Sequence, residues 1–131
     1  MSGALKEALR LAALAERDAR VFAVLCTYGP ESDFPAAAFH AQQSIEKAIK
    51  AVLCLKGAEF RRTHDLIELA GRAADAGAPL PVNDDTLSRL TPYGVEFRYD
   101  DTAMPLIDAT SAARAVDTCL SWCSTQLKQG E

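Results

Sequence analysis

The sequence predicts an all-α fold, an up-and-down four-helix bundle with an extra short helix. Three observations carry that expectation. The chain is 49% hydrophobic but only 7% aromatic and is rich in alanine, the best helix former and a poor strand former. Apolar residues recur at spacings of three and four along several long stretches, and none alternates with the period of a strand. Turn signals at 27–35, 56–62, 75–85 and 91–94 ("TYGPESDFP", "KGAEFRR", "DAGAPLPVNDD", "TPYG") separate those stretches. A chain of 131 residues suffices for one self-supporting core, so residues 1–131 are read as a single domain.

The first helix is expected from about Ser2 to Cys26, with a stripe of Leu11, Leu14, Asp18, Phe22 and Leu25 in which Asp18 is the polar member. The second begins near Asp33 as N-cap, has Pro35 in its first turn and ends with Gly57 at C′. On it Phe39, Gln42, Ile45, Ile49 and Val52 form a core face, while His40, Gln43, Lys47, Lys50 and Cys54 form a second stripe. An unpartnered amide is costly to bury, so Gln42 needs a partner, and Asp18 on the facing stripe is the expected one. A third, shorter helix starts with Thr63 as N-cap and runs through "HDLIELAGRAAD", with Asp65 and Glu68 in its first turns. A short helical piece, "DDTLSRL", follows the Pro-rich loop. The last helix is expected from about Pro105 to Lys128 with a stripe of Leu106, Ala109, Ala113, Val116, Leu120, Cys123 and Leu127. That Ala-rich stripe looks broader than one bundle needs, so part of it is expected to pack on a second copy, giving a homodimer.

The net charge of −4 excludes attraction to nucleic acid by bulk electrostatics, but the charge is uneven. Residues 39–72 carry six Lys/Arg against four Asp/Glu, and residues 73–131 carry four against nine. An anionic ligand therefore belongs in the middle third. No apolar run approaches the roughly 18 residues of a membrane span. The segment "MSGALKEALR" has charges and no apolar core, so it does not read as a signal peptide. A cytoplasmic location is expected, with Cys26, Cys54, Cys119 and Cys123 as reduced thiols in no zinc-binding spacing. Glycine-rich phosphate loops, GxSxG, HExxH and the Glu-x-x-His pairs of a di-iron bundle are all missing, so no metal or cofactor is expected.

Three segments could carry chemistry. On the second helix, His40, Gln43 and Lys47 form either a ligand stripe or a solvated face braced by a Glu46–Lys50 pair at i,i+4. In "RRTHDL", Arg61 and Arg62 precede a helix N-terminus beside His64 and Asp65, which makes either an anion site or an ordinary capped helix. In "VEFRYDDT", Arg98 and Tyr99 could hold a phosphate and stack a base, or could simply anchor a loop.

Taken together, "FHAQQSIEKAIKAVLCLKG", "THDLIEL" and "FRYDD" at these separations resemble the HEPN family (higher eukaryote and prokaryote nucleotide-binding domain) over roughly residues 10–128. The resemblance implies a four-to-five-helix bundle that usually dimerises. It also implies action beside a minimal nucleotidyltransferase, in several cases as a toxin–antitoxin pair, or else metal-independent ribonuclease activity. Ribonuclease members carry an Arg and a His separated by four to six residues near the start of the last helix. No such pair occurs in this chain, where the corresponding Arg is Arg98 and Ala103, Met104 and Pro105 stand in place of the His.

Three readings of function result. The first is a module that binds a nucleotide or RNA through His40, Gln43, Lys47, Arg61, Arg62, His64, Asp65, Arg98 and Tyr99, and works with a nucleotidyltransferase partner. The second is a ribonuclease with a rewired site, in which His40 or His64 is the base and Arg98 stabilises charge. The third is a structural dimer whose Asp18, Gln42, Glu46 and Lys47 form a buried network between helices.

Overall fold

In the computed structural model, residues 2–95 and 105–130 are described. They form five helices: α1 (Gly3–Tyr28), α2 (Phe34–Leu55), α3 (Leu66–Asp75), α4 (Asp84–Val95) and α5 (Ala109–Gln129), with a 3-10 turn at Glu31–Asp33. The all-helical expectation holds, and there is no strand among the described residues. The division differs in detail, since three helices are long and two are short.

Helix α2 is the axis of the bundle and packs against each of the other four. Its apolar side consists of small and branched residues, Ala41, Ile45, Ala48, Ile49, Ala51 and Val52, all fully buried. Alanines at these positions let α1 approach closely, with Ala8, Ala15 and Phe22 facing them. The hydroxyl of Ser44 donates to the carbonyl of Ala15 at 2.8 Å, tying the two helices together. Burial continues onto the polar side of α2, where Gln42 and Glu46 are also enclosed. Phe39, expected in the core, is only half-buried and meets the His40 ring edge-on at 5.2 Å.

The ends of the long helices follow their caps. Ser2 caps α1 by accepting from the Leu5 N–H at 3.1 Å. Gly57 closes α2 with φ +67°, and the Ala58 N–H returns to the Leu53 carbonyl at 2.9 Å, the hydrogen-bond pattern of a left-handed C-terminal closure.

Three expectations are corrected. The N-cap of α3 is Asp65, whose carboxylate accepts from the Ile67 and Glu68 N–H groups, so Thr63 lies outside the helix. The segment "TPYG" is not a turn but the C-terminal part of α4. A proline inside a helix leaves one carbonyl without its usual donor. Here the helix is held beyond Pro92 by its surroundings, for Tyr93 is buried and its hydroxyl accepts from the Leu106 N–H at 2.9 Å. In α5, Asp108 is the cap and the helix starts at Ala109 rather than Pro105. Its buried face is Ala112, Ala115, Val116, Cys119, Trp122, Cys123 and Leu127, shifted round the helix from the expected stripe. Leu106 and Ala109 are exposed, and Ala113 and Leu120 lie at the margin.

A candidate ligand-binding strip on α2

Helical spacing sets out the polar residues of α2 in two adjacent rows, His40–Gln43–Lys47 and Gln42–Glu46–Lys50. Each row is organised around a buried carboxylate. Beside the first, Asp18 of α1 is hydrogen-bonded through Oδ1 to His40 Nδ1 at 2.9 Å, and Lys47 Nζ donates to its Oδ2 at 2.6 Å. Within the second, Glu46 Oε1 meets His64 Nδ1 at 2.7 Å and accepts from Gln42 Nε2 at 3.0 Å, while Lys50 Nζ donates to Oε2 at 3.0 Å. The rows are joined by Gln43, whose Nε2 donates to Gln42 Oε1 at 2.7 Å. Gln42 Nε2 also donates to the backbone carbonyl of His64 at 3.2 Å, anchoring the loop that carries that histidine.

Burial pushes the Glu46 carboxyl up, but hydrogen bonds from Gln42, His64 and Lys50, with the Lys50 charge, outweigh it and hold Glu46 below its ordinary value of 4.5. An ionised carboxylate only accepts, so His64 Nδ1 must carry the proton. Neutral His64 therefore presents Nε2 as a lone pair, and protonated His64 presents it as a donor. The same logic applies to His40 on the Asp18 carboxylate. Both imidazoles remain accessible, with side chains 31% exposed at His40 and 49% at His64.

Gln42 therefore does not pair with Asp18. Its partners come from its own helix at i+4, its neighbour Gln43 and the His64 loop. Arg61 is engaged by Glu68, with Nε to Oε1 at 2.8 Å. Asp65 caps α3, so its carboxylate occupies the N–H groups that an anion would need. Arg62 is exposed and has no hydrogen bond among the described residues. Arg98 and Tyr99 lie outside the described residues. The structure thus brings His40, Gln43, Lys47 and His64 into one connected strip and adds Lys50. That lysine was visible in sequence as the i+4 partner of Glu46, but its row gave no sign of His64.

No group of three or more His, Cys, Asp and Glu among the described residues is placed to hold a metal ion. Among the described residues no helix is long and apolar enough to cross a membrane.

A family model for the HEPN domain matches residues 10–126. The chain belongs to the HEPN family. Comparisons with curated proteins and with solved structures gave no significant match. Within this HEPN chain the matched stretch contains both carboxylate–histidine pairs and both lysines that flank them.

Proposed function

We propose that the α2 strip binds a phosphate-bearing ligand, a nucleotide or an RNA segment. The observation that carries this reading is the pair of accessible imidazoles, each with Nδ1 tied to a buried carboxylate and Nε2 left over for a ligand. Lys47 and Lys50 stand beside them and offset the two carboxylates, so a phosphate meets ammonium groups next to the two Nε2 positions. Gln43 adds a polar group between the rows, and Arg62, exposed and without a hydrogen bond among the described residues, precedes His64 by two positions. The test is a titration with ATP and with a short single-stranded RNA at low salt, followed by amide and imidazole NMR. Shifts at His40 and His64 that vanish in Lys47→Ala/Lys50→Ala support the reading; unchanged spectra at millimolar nucleotide overturn it.

The same geometry favours a second reading, in which a neutral Nε2 takes a proton from an RNA 2′-hydroxyl and the strip acts as a metal-independent ribonuclease. Cleavage of tRNA in EDTA that is lost in His40→Ala or His64→Ala would establish it. A purely structural role would show as unfolding of those variants with no ligand effect in the wild type.

The wider reading is a cytoplasmic homodimer that works with a minimal nucleotidyltransferase, as in toxin–antitoxin pairs. It is supported by the family alone. Light scattering and co-purification with the product of a neighbouring reading frame test it.

A further inference from the structure

Gly94 stands in the last turn of α4, where glycine weakens a helix by about 1 kcal/mol relative to alanine. Its conformation does not require glycine, because the positive φ values among the described residues belong to Gly57 and Gly77. What it supplies is room. A Cβ on Gly94 would stand 2.6 Å from Gln42 Nε2 and closer still to Cδ and Oε1. The Gln42 amide therefore lies against the α4 backbone.

That amide cannot simply turn aside. Gln42 is fully buried, its Nε2 donates both to Glu46 and to the His64 carbonyl, and its Oε1 accepts from Gln43. Displacing it takes a donor from Glu46, the residue that orients His64 Nδ1, and releases the backbone of His64 itself. Helix α4 also holds the start of α3, just after that loop, where Thr91 Oγ1 accepts from the Leu66 N–H at 3.2 Å.

We propose that Gly94 is a positioning residue for His64, acting through the Gln42 amide. This deepens the ligand-binding reading of the α2 strip and rests on it for its functional meaning. The absent side chain lets one amide fix the carboxylate and the carbonyl that together set where the His64 ring stands. His40 is positioned from α1 by Asp18 and is independent of this arrangement.

The chain has two histidines, so imidazole NMR separates the two sites cleanly. In Gly94→Ala, the His64 ring signals are expected to move away from the Nδ1–H tautomer pattern while those of His40 stay in place. ATP affinity is expected to fall about tenfold, as when a buried hydrogen-bonding group loses its partner. In a Gln42→Ala background the space is vacant, so adding Gly94→Ala should move His64 no further. Unchanged His64 signals in Gly94→Ala, or an equal shift in both backgrounds, would overturn the proposal. If Gly94→Ala alone does not fold, recovery of the fold in the double variant supports the contact and failure to recover refutes it. The ring signals report the positioning even if wild-type protein binds no nucleotide, so failure of the binding reading is distinguishable from failure of this one.

Discussion

Glu46 receives an amide, an imidazole and an ammonium on two oxygens while it is almost wholly buried. Replacing it with Gln keeps the shape but turns one accepting oxygen into a donor that faces Lys50 or His64. The expected cost is about 1–3 kcal/mol in urea unfolding, the range for a buried hydrogen-bonding group left without a partner. The wild-type carboxyl also carries a pH signature. Its folded value is depressed below 4.5, so its stabilising contribution is complete above that value and is lost as pH falls through the folded one. Acid titration of stability should therefore be shallower below pH 4.5 in Glu46→Gln than in wild type; identical slopes would remove Glu46 from the account. Sequence spacing put Gln42 on the core side correctly but assigned it Asp18. The i,i+4 step to Glu46 and the carbonyl of a distant loop were nearer, and a loop carbonyl leaves no mark in a sequence.

At the scale of elements, α5 keeps its two cysteines on the buried face. Burial pushes Cys119 up to about 12 and Cys123 up to about 11. Only thiolate reacts, so these two should resist a thiol reagent in the folded protein. Cys26 is exposed and Cys54 half-buried, each raised by burial. A thiol-counting assay should thus find Cys26 first and Cys54 slowly, with all four modified only in denaturant; rapid labelling of Cys123 would contradict the packing of α5. The expected stripe of α5 is right at Cys123, which is buried, and wrong at Leu106 and Ala109, which are exposed. A three–four pattern gives the period of a helix but not its phase when alanines occupy both sides. In α4 the local signal misled for a different reason. Proline and glycine in "TPYG" read as a turn, whereas tertiary contacts explain both residues: Tyr93 is anchored by Leu106, and Gly94 makes room for Gln42.

Across the whole molecule the charge is −4, yet the proposed strip pairs each carboxylate with a lysine, so it does not share the acidic excess of the chain. The carboxylates hold each ring by Nδ1, so Nε2 is the nitrogen that each histidine offers a ligand. Lys47 and Lys50 supply the ammonium groups that a phosphate of ATP or RNA would meet there. Calorimetric titration with ATP should show an affinity that falls in Lys47→Ala and in Lys50→Ala. His64→Gln should weaken binding through the Glu46 row and leave the Asp18 row intact. The affinity should also fall with added salt, because phosphate contacts displace counterions. A wild-type affinity for ATP that neither salt nor His64→Gln lowers would mean that the strip does not meet the phosphate, and it would then be a structural seam between α1, α2 and the His64 loop. The two rows converge only because α1 supplies Asp18 from one side and the loop before α3 supplies His64 from the other. The polar residues of α2, with Asp18 and His64, were visible in the sequence, but the pairing of His40 and Lys47 with Asp18 and of His64 with Glu46 required the bundle.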